Sequence, residues 1–341
     1  MFFSKLKYFI QLFSLIFSLI SNIILVYLIL TKSPKKMGSY KYLLIYFCCF
    51  SMLYSILYII VEPYIHSHGS SYFMMMKLGI LKSYPEVGFI LILLLCGCFA
   101  VSITTISIQF VFRYFAVERK GGLRFFRGKY LIFWFISPLL AGFIWFTLAW
   151  FTQYPSPQMN DYISEIVSTN YGANVSDITY CGCVFYPLDE TGVPHLDYKH
   201  LWAYVGYCIT MGTLFLTLVI FGLKTYKLVR ELSKHGESEY TYKLQSQLFR
   251  ALVAQAFIPI TFLFLPIGIL FTAPLLHFDI EPASFLVTIF YSIYPAVDPL
   301  PIIFIVVDYR DGLVELLRYF IGQRNNYITP STTDHRIASV S

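Results

Sequence analysis

Residues 87–112 read VGFILILLLCGCFAVSITTISIQFVF, 26 positions without one charged side chain. As an α-helix at 1.5 Å per residue this run is about 39 Å long, more than the ~30 Å of hydrocarbon in a bilayer. Outward from it lie six further apolar runs, at 9–30, 42–62, 130–152, 201–223, 251–273 and 283–307. None contains Lys or Arg, so all 25 basic residues fall between or beyond the runs. Composition agrees: 57% of the chain is AVILMFWYC and 13% is charged, against roughly 25% charged in soluble domains. A cytosolic enzyme, a nucleic-acid-binding module and a disordered chain are thereby excluded. The 33 Phe and 28 Tyr suit a chain that meets membrane interfaces many times. The fold class is all-α integral membrane, a seven-transmembrane helix bundle. No repeat of 20–50 residues is visible, and seven spans do not divide into equal halves.

Loop charge sets the expected orientation. With the N-terminus outside, twenty basic residues fall on the cytoplasmic side, in 31–41, 113–129, 224–250 and the tail, and five fall outside. Cytoplasmic enrichment of Lys and Arg follows from membrane insertion. Lys5 and Lys7 precede the first run, but its length exceeds the 7–15 residues of a signal core and no small-residue cleavage site follows. It is expected to be retained as the first span. The sequon Asn174-Val175-Ser176 lies in the long 153–200 segment, which this orientation places outside, as glycosylation of Asn174 requires. The expected organisation is a short extracellular N-terminus at 1–8, a bundle at 9–307 and a cytoplasmic tail at 308–341.

Few residues in the spans carry chemistry. Asp298 is the one carboxylate well inside a span, in Tyr294-Pro295-Ala296-Val297-Asp298-Pro299-Leu300-Pro301. A membrane carboxylate is costly unless paired or hydrated, and the three prolines free helical carbonyls for water or neighbours. Asp298 reads either as a switch element or as a packing clamp with Asn22 in the first span. Arg113 and Tyr114 close the third span ahead of Arg119, Lys120, Arg124, Arg127 and Lys129. Arg113 either snorkels to phosphates or holds the third and sixth spans together and later meets an intracellular partner. Pro259 and Pro266, seven residues apart, fall on one face of the sixth span and are expected to bend it. The 224–250 segment, with Lys224, Lys227, Arg230, Lys234, Lys243 and Arg250, suits anionic lipid as well as a specific contact. Leu313, Leu316, Leu317, Phe320 and Ile321 keep helical spacing opposite Arg310, Asp311, Glu315 and Arg318, which predicts an amphipathic helix at about 310–322 on the inner leaflet. The tail Thr329-Pro330-Ser331-Thr332-Thr333 is polar and open to kinases. His66, His68, His195, His200 and His277 read as surface residues near the outer rim, and the spacing of the cysteines suggests neither zinc nor a disulfide scaffold. No cofactor is expected, and the absence of Lys from the seventh span excludes a retinal Schiff base there.

Several spaced motifs together resemble the nematode Str chemoreceptors, a family of G-protein-coupled receptors. They are Lys32-Ser33-Pro34-Lys35-Lys36-Met37-Gly38-Ser39-Tyr40-Lys41-Tyr42-Leu43 after the first span, Glu62-Pro63-Tyr64-Ile65-His66 after the second and Phe112-Arg113-Tyr114-Phe115-Ala116 after the third. Entry to the sixth span, Leu248-Phe249-Arg250-Ala251-Leu252-Val253-Ala254-Gln255-Ala256-Phe257-Ile258-Pro259, is similar too, as are Tyr294 to Pro299 and Asp308-Tyr309-Arg310. The resemblance covers about residues 5–325. It implies a sensory receptor that binds a small odorant or other environmental chemical and activates a heterotrimeric G protein through its α subunit. It also implies a plasma-membrane location in the sensory cilium of chemosensory neurons, and leaves room for a trafficking accessory protein. Phe112 stands where rhodopsin-like receptors carry an acidic residue beside the Arg113-Tyr114 pair, so the resting restraint must come from elsewhere. Ile302 stands where they carry the tyrosine that follows Asp298-Pro299.

A ligand that favours a state with the sixth span swung outward shifts the population toward it. The opened inner cavity, lined by Arg113, Arg250 and the end of the seventh span, then accepts a G-protein α-subunit helix. In the outer half of the third span no acidic residue is available to anchor an amine. Cys98, Tyr204, Tyr207, Cys208, Ser284, Phe285 and Thr288 are the candidate pocket residues, suited to a small neutral or weakly polar molecule or to plain helix packing. A seven-span odorant-gated channel of the insect type is the alternative, and it requires the opposite orientation. A transporter is disfavoured by the single intramembrane Asp and the missing repeat, and an enzyme by the lack of any catalytic constellation. Phe112 and Ile302 leave open a copy that no longer signals.

Overall fold

A computed structural model describes residues 2–118, 121–189, 191–232, 239–278 and 280–321. Arg119, Lys120, Lys234 and the Thr329–Thr333 tail lie outside the described residues. Seven helical segments are long and apolar enough to cross a membrane: Lys5–Lys32, Tyr40–Val61, Pro85–Glu118, Tyr130–Thr152, Tyr198–Leu232, Glu239–Leu276 and Ala283–Ile305. The first five belong to helices α1 (Phe2–Lys32), α2 (Tyr40–Val61), α3 (Pro85–Glu118), α4 (Tyr130–Thr152) and α6 (Tyr198–Leu232). The sixth comprises α7 (Glu239–Pro259), a π-helical turn at Ile260–Phe264 and α8 (Leu265–Thr272). The seventh comprises α9 (Glu281–Val297) and α10 (Leu300–Ile305). Helix α5 (Pro157–Tyr171) lies between the fourth and fifth spans, and α11 (Val307–Phe320) follows the seventh.

Several spans outrun their apolar sequence. Helix α1 begins at Phe2, so most of the segment expected to be a short N-terminal tail is helical. Its Lys7 is buried and donates to the carbonyls of Glu62 (2.8 Å) and Pro63 (3.1 Å), with Nζ 3.0 Å from the Tyr64 ring centroid. A charge so placed is matched by dipoles and a π-face rather than by water. The π turn also alters the sixth span. Its i→i+5 bonding widens one turn, so Pro259 and Pro266 lose the two-turn register that would stack them. Pro259 is buried, whereas Pro266 is half-buried.

Helix α3 runs through the middle of the bundle and is buried along most of its length. Its hydroxyls are satisfied by their own helix: Thr104 donates to the Ala100 carbonyl, Thr105 to Val101 and Ser107 to Ile103, at 2.8–2.9 Å. Such i−4 bonds are how polar side chains sit inside an apolar bundle without orphaned donors. Close packing of α3 on α4 needs two glycines. A Cβ on Gly97 would lie 2.9 Å from the Gly142 carbonyl oxygen, closer than side chains tolerate, so the backbones touch only because both positions lack one.

One end of the bundle carries a sheet that the sequence reading did not anticipate. Strands β1 (Tyr64–His68), β2 (Ser71–Lys77) and β3 (Ile178–Val184) form an antiparallel sheet in the order β1-β2-β3, with Met74 opposite Cys181. Both faces are covered. Ile65, Tyr72, Met74, Met76, Cys181 and Cys183 face the helices, while Phe73, Met75, Tyr180 and Val184 pack under Met159, Ile163 and Val167 of α5. Helix α5 starts where Ser156 caps it, its Oγ accepting from the Met159 N–H at 3.2 Å, and where Pro157 occupies the first turn. His66, expected at the surface, is buried in this layer and its Nδ1 meets the Tyr171 hydroxyl at 2.8 Å.

Candidate functional site

Three arrangements line up along the bundle: a cavity under the sheet, a polar node at mid-depth and a buried arginine at the opposite end. The cavity has a volume of about 190 Å³. Its walls come from α3 (Leu95, Cys96, Phe99), α4 (Trp145, Ala149), α6 (Tyr204, Tyr207, Cys208, Met211), the sixth span (Phe264, Ile267, Gly268, Phe271, Thr272) and Tyr291, with Tyr72 and Met74 of the sheet as ceiling. No wall residue carries a formal charge at neutral pH. The polar groups are Gln153, the tyrosine hydroxyls, Thr272 and the two thiols. Tyr204 and Thr272 share a hydrogen bond of 2.8 Å across the fifth and sixth spans.

Of the candidate pocket residues, Tyr204, Tyr207 and Cys208 line this cavity. Cys98, Ser284, Phe285 and Thr288 do not. Cys98 is two positions from Cys96 and so turns about 200° away on the same helix. Ser284 and Thr288 hold the lid: their hydroxyls accept from the backbone N–H of Ser67 (3.1 Å) and Ile65 (3.2 Å) on β1. Their place at the start of the seventh span does not reveal that a strand covers it. Cys96 was missed because it lies deep in its span; β3 descends to meet it. The Cys181 thiol is within hydrogen-bonding reach of Cys96 and also donates to Gln153 Oε1 at 2.9 Å. Its proximity to Cys96 and its burial hold Cys181 well above the ordinary thiol range. All seven cysteines are free thiols in this structure.

The polar node follows from the prolines. Pro299 has no N–H, so the Pro295 carbonyl loses its i+4 partner. It is instead met by Ser18 (3.1 Å), Asn22 Nδ2 (3.2 Å) and Ser51 (3.4 Å), from the first and second spans. Ser21 donates to the Ala296 carbonyl at 3.3 Å, and Gln255 Nε2 of α7 to the Asp298 carbonyl at 3.2 Å. The first, second and sixth spans are thus tied to one proline break in the seventh. Asn22 therefore clamps backbone rather than the Asp298 carboxylate. That carboxylate is fully buried, and its two oxygens have no hydrogen-bond partner among the described residues.

At the opposite end Arg113 is buried, 2% exposed. Its guanidinium carbon lies 3.9 Å from the centroid of the Tyr40 ring, and Nη1 donates to Gln245 Oε1 of α7 at 3.1 Å. The Tyr40 hydroxyl donates to Gln109 Oε1 at 3.2 Å. No carboxylate among the described residues pairs with Arg113. Phe112 stacks on Tyr40 at 5.1 Å and meets Phe126 edge-on at 5.0 Å, so an aromatic cluster occupies the place of an ionic partner. Tyr114 turns toward α6, donating to Glu118 (2.6 Å) and meeting Phe221 edge-on. Tyr309 is buried beside this cage, bonded to Ser33 (2.7 Å) and Met37, and burial pushes its phenol up to about 12. Gln247 accepts from the Val307 N–H at 3.2 Å, fastening α7 to α11. Arg250 is exposed and so lies outside the arginine cage, as is Arg310. Tyr40, Gln245 and Gln247 were not singled out from sequence, because polar residues at span ends look like interface anchors. Asn174 is exposed in its loop.

Relatives of this arrangement are known. The family described as "Serpentine type 7TM GPCR chemoreceptor Str" matches residues 7–314. The chain is 33% identical over 304 residues to the G-protein coupled receptor str-217 of Caenorhabditis elegans, covering 88% of this chain and 86% of that one. It is 30% identical over 318 residues to the serpentine receptor class r-10 of Caenorhabditis briggsae, covering 92% and 90%. The protein of the same name in Caenorhabditis elegans is 30% identical over 308 residues, covering 89% and 88%. With seven spans and a family match that runs from the start of α1 into α11, the chain is a multi-pass membrane protein and belongs to the Str family of serpentine seven-transmembrane G-protein-coupled chemoreceptors.

Proposed function

We propose that the chain detects a small, neutral, weakly polar chemical in the cavity under the sheet and passes the signal to a heterotrimeric G protein at the Arg113 end. The observation that carries this reading is the pairing of a charge-free aromatic cavity with a caged arginine, both built on the third and sixth spans. An engineered cavity of ~150 Å³ holds benzene, so about 190 Å³ suits a molecule of volatile size. The π turn at Ile260–Phe264 reaches the cavity wall at Phe264 and separates it from Gln245, where a wide turn serves as a hinge. In the resting state Tyr40 and Gln245 hold Arg113, taking the part that a neighbouring acidic residue plays elsewhere. Outward movement of α7 carries Gln245 away, frees Arg113 and opens space for an α-subunit helix.

The reading places the sheet outside the cell, with the exposed Arg124, Arg127, Lys129 and Lys224 facing the cytoplasm and the exposed apolar side of α11 (Leu317, Phe320), with Ile321 just after it, on the inner leaflet. Plasma membrane, in the sensory cilium, is the proposed location. Two measurements test it. Epitopes at both termini, stained in intact and permeabilised cells, should show an external N-terminus and an internal tail; the reverse pattern favours the channel. Arg113→Ala should abolish G-protein activation at unchanged surface level, and unchanged signalling would remove Arg113 from the mechanism.

A further inference from the structure

The ceiling and the side wall of the cavity differ sharply in how they are closed. The sheet is fastened to the bundle all round. β1 is bonded to α9 through Ser284 and Thr288, and the Gly182 N–H donates to the Gln153 carbonyl at the end of α4 (3.3 Å). His200 at the start of α6 meets the Val184 carbonyl through Nδ1 at 3.1 Å. The Tyr186 hydroxyl donates to the Leu275 carbonyl at 3.1 Å, and its ring stacks on His277 at 4.2 Å. Every residue of β3 is buried, and α5 covers the sheet's other face. Beneath the sheet Tyr72 and Met74 are buried, 7% and 6% exposed.

The wall between α6 and α8 is different. Cys208 and Gly268 line the cavity and are exposed, next to the exposed Ile209 and Ile269 on their own helices. Here the cavity wall is one exposed residue thick. A Cβ at Gly268 would meet nothing within 4 Å, so no side chain from the neighbouring helix fills the gap. The polar closure among the described residues is a relay at the sheet end: Tyr204 donates to Thr272 Oγ1 (2.8 Å), which donates to the Gly268 carbonyl (2.6 Å). Flanking surface residues are Ile209, Leu265 and Ile269, each more than half exposed, and no charged residue lies between Trp202 and Leu223 or between Ala251 and Leu276. At that depth of a seven-span protein the surrounding medium is hydrocarbon.

We propose that ligands enter the cavity from the bilayer, through a window between α6 and α8 framed by Cys208 and Gly268. The chemical class selected is then the small uncharged molecule that first partitions into the membrane, where its concentration exceeds that in water. Polar solutes of equal size are excluded by the route before they meet the cavity. The Tyr204–Thr272 bond is the latch on the window's edge.

The test uses a thiol at the back of the cavity. In full-length receptor carrying Cys49→Ala and Cys208→Ala, reduced and held in lipid nanodiscs, Cys96 is exposed to N-phenylmaleimide, which is small and apolar, or to 2-sulfonatoethyl methanethiosulfonate, which is small and anionic. Modification at Cys96 is read by mass spectrometry. N-phenylmaleimide should label Cys96, and Gly268→Trp should slow that labelling by about tenfold or more; the anionic reagent should label neither. Cys208→Trp in place of Cys208→Ala is a second plug should Gly268→Trp fail to fold. Labelling by the anionic reagent, labelling by N-phenylmaleimide that both plugs leave unchanged, or no labelling of Cys96 by either reagent would each overturn the window. The proposal rests on this cavity being the ligand site; entry is read here as labelling and the receptor reading as signalling by Arg113→Ala, so either can fail without the other.

Discussion

Replacing Gln245 by Ala should raise signalling in the absence of any ligand. Gln245 Oε1 accepts a hydrogen bond from Arg113 at 3.1 Å, inside a site where Arg113 is almost wholly buried. A hydrogen bond to a charged group contributes about 1.5–3 kcal/mol, and removing one partner leaves the other desolvated and unpaired. That penalty falls on the resting state alone, because an outward α7 has already carried residue 245 away. Taking the lower figure of about 1.5 kcal/mol, the ratio of active to resting receptor rises roughly tenfold. A receptor about 1% active at rest becomes about 10% active. The sign can be reversed at the same position: Gln245→Glu places a carboxylate beside the guanidinium and should push ligand-free output below that of the unaltered receptor. The assay is ligand-free G-protein activation in cells, normalised to surface receptor measured by an N-terminal epitope. Basal output unchanged or lowered in Gln245→Ala, or raised in Gln245→Glu, would refute the cage as the resting restraint.

Asn22→Leu should lower the melting temperature of the detergent-solubilised receptor, because the Pro295 carbonyl loses one of its three donors at a cost of about 0.5–1.5 kcal/mol. Pro299→Ala restores an N–H to that carbonyl, so Asn22→Leu should cost less in the Pro299→Ala background; equal penalties would show that the two do not act through the same oxygen. Gly97→Val should prevent accumulation of folded receptor, since even its Cβ would sit 2.9 Å from the Gly142 oxygen, and normal surface level would contradict the close approach of α3 and α4. Asn174→Gln should remove the endoglycosidase-sensitive part of the receptor's mass on a gel, and an unchanged band would deny glycosylation at this site.

The seven spans were legible because hydrocarbon selects on composition, and a run such as residues 87–112 leaves a helix no competitor. The proline break at Asp298 was legible for a similar reason, since a missing N–H is visible in the sequence itself. Its partners were not. Ser18, Ser21 and Ser51 look like ordinary small packing residues until Pro295 and Ala296 are seen to face them. The sheet escaped because β1 reads His66-Ser67-His68 and β2 reads Met74-Met75-Met76; neither alternates, for both faces of the sheet are covered by the same chain. The π turn has no sequence signature, and it changes which residues of the sixth span look inward. Arg113 was found and its keepers were not, because a stacking Tyr40 and an uncharged Gln245 lack the charge pattern that marks an ionic pair.

The pairing of β2 with β3 joins Lys77 to Ile178, which sets an order of events during synthesis. Strand β2 emerges first, with the edge that will bond β3 unmet and Phe73, Met74, Met75 and Met76 uncovered. About 100 residues and two further spans must follow before its partner exists, an interval of roughly 5–20 s at ~5–20 residues per second. For that time an apolar strand edge stands open to any other extended chain. The lid that will shield the finished receptor is therefore the segment of the nascent one most in need of a chaperone.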